Sequence, residues 1–190
     1  MRGTRVSASK LLVTSLLATL ACTGALRAQS PLAPADPSDV GSIAAILKAS
    51  YEVISGPAGT PRQWRRDSTL YSPGALFIAT SVNDGKTQVH AITPEEYRRA
   101  SDARMVREGL IEREIGSRIE RFGNVAQVRS VYEIRRSEDG PVEARGVNYF
   151  SLYWDGSRWW ISSISWDDER PDNPIPPSWV GGHTEEGDLR

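Results

Sequence analysis

The chain of 190 residues has one cysteine, two histidines and two methionines. A lone Cys22 excludes an internal disulfide and paired-thiol chemistry. There is no HExxH, no GxSxG and no GxxxxGK[ST], so metal hydrolysis, a nucleophile elbow and P-loop phosphate binding lack their usual supports. No cofactor or metal is expected. A basic excess is also missing. Residues 1–28 hold four of the 23 Lys and Arg and none of the 24 Asp and Glu, which leaves the remainder at 19 basic against 24 acidic, a net of −5. That balance repels phosphate backbones and argues against nucleic acid. The longest apolar run, Leu11 to Ala21, falls short of the ~20 residues a membrane-spanning helix needs, so no integral membrane segment is expected in the mature chain. Internal repeats are absent.

What is present at the start is a leader pattern. Arg2, Arg5 and Lys10 precede the apolar run, and small residues follow it, as in a secretory signal over 1–28. Cleavage is expected after Ala28, with Ala25 as the second position. Thr19-Leu20-Ala21-Cys22 also resembles a lipoprotein box, which would place a lipid on Cys22. The expected location is therefore exported, periplasmic or extracellular. Residues 29–38, QSPLAPADPS, read as a Pro-rich linker. Residues 39–177 form one domain, large enough to enclose a core and a pocket. Residues 178–190 read as a disordered tail, acidic from Gly181 onward.

Ser38 is placed to cap a helix from Asp39, in which Ile43, Ile46, Leu47, Tyr51 and Ile54 recur at helical steps before Gly56-Pro57. Pro61 to Leu70 predicts a short second helix around Trp64. Ala75–Ser81 and Thr87–Ile92 predict strands about Asn83-Asp84-Gly85. Thr93-Pro94-Glu95-Glu96 opens a third helix with a capping box, ending at Gly109. Leu110–Arg121 and Asn124–Arg136 form a hairpin on a type II′ Gly123-Asn124 turn. With Phe122 opposite Val125, Ile119 faces Val128, Ser117 faces Ser130 and Ile115 faces Tyr132, all on an apolar face. Glu112, Glu114, Arg118, Glu120, Gln127, Arg129, Glu133 and Arg135 fall on a charged, wet face. Glu143–Trp154 and Arg158–Asp167 form a second hairpin about Asp155-Gly156. One face holds Phe150, Leu152, Trp154, Trp159 and Ile161. The other holds Val147, Tyr149, Tyr153, Trp160, Ile164 and Trp166. Strands covered on both sides read this way, and the pattern leaves the inner face open.

The order of helices, a hairpin and four long antiparallel strands is an α+β layout with one curved sheet wrapped on N-terminal helices. With SYEVISGPAGTPRQW, EREIGSRIERFGNVAQVRSVYEIRR and DGSRWWISSISWDDERPDNPIP, it resembles the cone-shaped nuclear transport factor 2-like superfamily, in particular exported bacterial members. The resemblance covers about Asp39 to Pro177. It implies a cystatin-like α+β cone with an apolar cavity between sheet and first helix. It does not imply one activity, because the superfamily spans enzymes, binding modules and dimerisation domains. The catalytic Asp, Tyr and acid of ketosteroid isomerase and the paired His of scytalone dehydratase have no matching set here.

Candidate site residues follow from position. His90 could be a general base at a pocket mouth, or an exposed strand histidine. Tyr132, on the apolar face, could donate to a ligand or bond a neighbour in the core. Asn148 can donate and accept among apolar neighbours. Of Asp167, Asp168 and Glu169, either Asp167 or Asp168 faces inward, or all form a solvated strand end with Arg170 as ion partner. Trp159 and Trp160 point to opposite faces, and Trp166 closes the open end of the cone. ERPDNPIPP, stiffened by prolines, reads as a strap over the sheet edge or the cavity mouth. Three functions fit. The first is binding of a small apolar or amphipathic molecule by Tyr132, Asn148 and Trp166. The second is a cofactor-independent lyase or isomerase with His90 or Asp167 as base and Tyr132 as acid. The third is a homodimeric interaction module joined through the charged outer face.

Overall fold

The structure, a computed structural model, describes residues 34–187. The expected leader 1–28, with Cys22, and the first part of the expected 29–38 linker lie outside them. Two helices open the described chain, α1 (Pro37–Val40) and α2 (Ile43–Ile54). Asp36, not Ser38, caps the first. Its carboxylate accepts from Ser38 N at 2.9 Å, and Pro37 presets the first turn. Ser42 is extended and caps α2, its Oγ accepting from Ala45 N at 3.1 Å. Ile43, Ile46, Leu47, Tyr51 and Val53 are buried from α2. The next helix, α3 (Trp64–Asp67), is one turn rather than the expected Pro61–Leu70. The chain before it is held by Arg62, whose buried guanidinium donates to the carbonyls of Gly56, Thr60 and Met105 at 2.6–2.9 Å.

Strand β1 (Tyr71–Asn83) pairs with β2 (Lys86–Ile92) across Asp84-Gly85, both at positive φ. Helix α4 (Pro94–Glu108) has the expected capping box, with Glu96 and Thr93 bonded reciprocally. Then follow β3 (Ile111–Phe122), β4 (Val125–Arg135), β5 (Ala144–Trp154), β6 (Trp159–Asp168) and β7 (His183–Gly187). The sheet order is β2-β1-β6-β5-β4-β3-β7. It is mixed rather than purely antiparallel, because β1 runs parallel to β6 and β7 parallel to β3. It does not close into a barrel. The core lies between its inner face and α2, with Ile46, Val53, Val128, Phe150 and Ile161 at its centre.

Two bulges decide which side chains face that core. In β3 the register runs as expected from Phe122↔Val125 to Ser117↔Ser130, then shifts between Gly116 and Glu114. Tyr132 therefore faces Glu114, not Ile115, and Ile134 faces Glu112. An extra residue in a strand exchanges its faces beyond that point. Glu112 and Glu114 thus turn from the wet face to the inner one. In β6 the pairing passes from Leu152↔Ile161 to Ser151↔Ser163, leaving Ser162 extra. Ile164, Trp166 and Asp168 consequently share the inner face with Trp159 and Ile161.

The 169–182 segment crosses the outer face of the sheet rather than the cavity mouth. Glu169 Oε1 accepts from Ile175 N at 3.0 Å, a 3₁₀ turn follows at Pro177–Trp179, and the Trp179 ring lies under the Arg129 guanidinium at 3.8 Å. Gly181 N then donates to Ile115 O at 2.7 Å and Ser117 N to Gly182 O at 2.8 Å. Gly116 is required at this crossing, since a Cβ there would overlap the Trp179 carbonyl oxygen. Residues 183–187, expected within a disordered tail, form β7 on the β3 edge. The strap occupies part of the charged outer face through which the third of the candidate functions would join a homodimer, and β7 covers the β3 edge beside it.

Candidate functional site

A cavity of about 240 Å³ lies between the inner sheet face, α2 and α4. Helix α4 contributes Tyr97, Ser101, Arg104 and Met105, which recur on one helical face. Its aromatic wall is built edge to face. Phe77 meets Tyr71 at 5.0 Å, Tyr97 at 5.2 Å and Trp166 at 6.1 Å between ring centroids. Behind it Asp67 is buried and accepts from Arg98 Nη1 at 2.7 Å and from the Tyr71 hydroxyl at 3.3 Å. Burial pushes the Asp67 carboxyl up, against the pull of Arg98.

The polar wall carries the chemistry. Glu112 is only half-buried by area, but the area it shows opens into this cavity and into a groove on the other side of α2. Its carboxyl is enclosed by the fold. It is raised to about 7, chiefly by loss of solvation; the hydrogen bond from Asn148 pulls it down and the charge of Asp168 pushes it up. Asn148 Nδ2 donates to Glu112 Oε1 at 3.3 Å and to Tyr51 Oη at 3.2 Å. Among the described residues, no Lys, Arg or His pairs with Glu112. The Tyr132 hydroxyl donates to Asp168 Oδ1 at 2.6 Å, and Asp168 sits exposed at the mouth. Burial and that bond hold the Tyr132 phenol well above its usual range. Three carboxyl groups therefore line one cavity. Asp67 is paired with Arg98, Glu112 holds a proton near neutrality, and Asp168 is an acceptor at the rim. Among the described residues, no three or more His, Cys, Asp or Glu are grouped to hold a metal ion.

Tyr132, Asn148 and Trp166 all line this cavity. His90 does not. It is exposed on β2, paired through its backbone with Ala79. Asp167 points outward, its Oδ1 bonded to Arg170 Nη1 at 2.8 Å, and it is Asp168 that faces in. Glu169 holds the strap. Trp160 lies on the outer side, its indole N–H given to Asp155 at 2.6 Å, while Trp159 is buried. Sequence reasoning left Asp168 as one of two alternatives for the inward acid and missed Glu112, Glu114 and Tyr51. The available signal for Glu112 was Gly116, since an isolated glycine within a strand pattern marks a bulge or close backbone approach.

The helices, the long hairpins and the sheet order with the cavity beneath define an α+β protein of the nuclear transport factor 2-like fold. A nuclear transport factor 2-like protein of unknown function from Shewanella baltica is similar over 67% of this chain and 91% of its own, with 15% identity and a TM-score of 0.44. Another from Methylobacillus flagellatus matches over 68% and 95%, with 15% identity and a TM-score of 0.44. A function-unknown protein from Mycobacterium tuberculosis matches over 71% and 75%, with 20% identity and a TM-score of 0.49. At such identities the likeness concerns the backbone and not the chemistry of a site. No protein-family model matches the chain, and no curated protein matches it.

Proposed function

We propose that the cavity takes up a small amphipathic molecule and that Glu112 exchanges a proton with it, as in an isomerase or lyase that needs only acid and base groups. The observation that carries this is an enclosed carboxyl near pH 7 without a cation partner, beside an aromatic wall. An unpaired enclosed acid costs stability, and an acid poised near the working pH is what proton transfer requires. Asp168 is the complementary acceptor, and the aromatic wall would take the apolar body. The Tyr132 hydroxyl is committed as a hydrogen-bond donor to Asp168, so it serves as a positioning group rather than the acid. The cavity volume favours a compact substrate, below the ~300–1,000 Å³ of drug-sized sites. We also infer export, from the basic, apolar and small-residue order of residues 1–28.

The test uses a small cyclic ketone, cyclohexanone, in deuterated buffer, with α-hydrogen exchange followed by proton NMR. The expected result is saturable acceleration that falls at least tenfold in Glu112→Gln. Binding without acceleration would leave a carrier role. Unchanged acceleration in Glu112→Gln would remove Glu112 from the chemistry.

A further inference from the structure

Glu114 lies outside the cavity, in the groove between α2, the start of β3 and β7, yet a hydrogen-bonded chain joins it to Glu112. The Ser130 hydroxyl donates to Glu114 Oε2. Tyr51 Oη lies 2.6 Å from Ser130 Oγ. A serine hydroxyl has one proton, and here it is committed to Glu114, so Tyr51 must be the donor in that pair. The Tyr51 oxygen then accepts from Asn148 Nδ2, which also donates to Glu112. From Asn148 through Tyr51 and Ser130 the protons therefore point toward Glu114, while the same amide nitrogen also presents an N–H to Glu112. Ser130, Tyr51 and Asn148 are all buried, so water does not interrupt the sequence.

This direction has a chemical consequence. With Asn148 held N–H first, Glu112 meets a donor, which favours its anion. Were the chain to reverse, Tyr51 would donate toward Asn148, the amide would turn over, and Glu112 would meet a carbonyl oxygen that favours its protonated form. An anionic Glu114 fixes the first arrangement, because it can only accept. We propose that Glu114 is a positioning residue for Glu112, orienting the Ser130–Tyr51–Asn148 chain and so setting the proton affinity of the cavity acid from outside the cavity. The proposal rests on the reading of Glu112 as the proton-exchanging group.

Other charges surround both ends. Glu112 is faced by Asp168 of β6 and Tyr132 of β4, with Tyr97 and Arg104 of α4 on the opposite wall. Glu114 is faced by Lys48 and Glu52 of α2, by Arg113 and Glu138, and by His183 of β7, whose Nδ1 lies 3.2 Å from Glu114 Oε1 and 3.0 Å from Ser117 Oγ. The Lys48–Glu52 and Arg113–Glu138 pairs are partnered with each other. Their fields act on Glu112 with the sign of ordinary Coulomb interaction, and this separates them from the chain. Removing the negative charge of Glu114 should lower the ionisation midpoint of Glu112 by Coulomb interaction alone. Reversal of the chain should raise it.

The experiment is carbon-13 NMR of side-chain carboxyls in the free protein, with the Glu112 signal assigned from Glu112→Gln. Glu114→Gln is expected to raise the Glu112 midpoint by about one pH unit. Ser130→Ala keeps the charge but cuts the chain, and is expected to raise it as well. A fall or no change in Glu114→Gln, or an unchanged midpoint in Ser130→Ala, would overturn the proposal. Amide spectra of each variant establish that it is folded, and either variant alone suffices for the decision. Because the midpoint is read without substrate, it is independent of whether Glu112→Gln loses turnover.

Discussion

In the folded protein Glu112 ionises near pH 7, against 4.5 for an unconstrained glutamate. Between those values the folded chain binds a proton that the unfolded chain has released. Folding stability from this group is therefore full below about 4.5 and is lost as pH rises through the window to 7. This is opposite to the behaviour of a salt-bridged carboxylate. After allowance for water in the cavity, the loss is roughly 1–3 kcal/mol. Glu112→Gln has no such proton to release. Urea unfolding of both proteins at pH 5 and pH 8 should show the variant gaining on the wild type by that amount at the higher pH. An equal difference at both pH values would mean that the carboxyl is solvated and ionised like any surface glutamate.

At the scale of elements, the two bulges explain which expectations held. The helix from Thr93, the turns at Asp84-Gly85 and Gly123, and the pairing from Phe122 to Ser117 depend on local chemistry, and local chemistry is visible in the chain. The faces of Glu112, Glu114, Ile164, Trp166 and Asp168 depend on one extra residue in each strand, and alternation carried past a bulge assigns the wrong side. Tyr132, Asn148 and Trp166 were placed near a cavity by pattern, but the acid between them was assigned to solvent. The single-turn α3 was read as a longer helix because the hold of Arg62 on the carbonyls of Gly56, Thr60 and Met105 leaves no periodic mark. Gly116 tests the element-level account. Gly116→Ala is expected to lift the Trp179 crossing while leaving β3 paired with β4. Hydrogen exchange should then show lost protection at Ser117 and over residues 181–187, with protection at Val128 and Phe150 retained. Retained protection at 181–187 would mean that the close approach is not needed.

At the scale of the molecule, the cavity draws its walls from α2, α4 and five of the seven strands, so it exists only in the assembled domain. No helix among the described residues is long and apolar enough to cross a membrane. Export is thus argued from the leader alone. Native mass spectrometry of protein recovered from the exported fraction tests it together with occupancy of the cavity. A chain beginning after Ala28 or Ala25 is expected, or one lipidated at Cys22, and a small adduct released on denaturation would identify the class of molecule the cavity holds. A chain that retains Met1 would overturn the inference of export.

The parallel pairing of β1 with β6 places Tyr71 opposite Ile161. β1 hydrogen-bonds only to β2 until β6 has been made, so the first hairpin waits on nearly the last strand of the domain for its second neighbour. During synthesis no partial chain can complete the sheet or enclose the cavity, and contacts this distant in sequence form slowly. A polypeptide of this topology can therefore enclose its cavity only once its final third has emerged, so the pocket is among the last features of the domain to form.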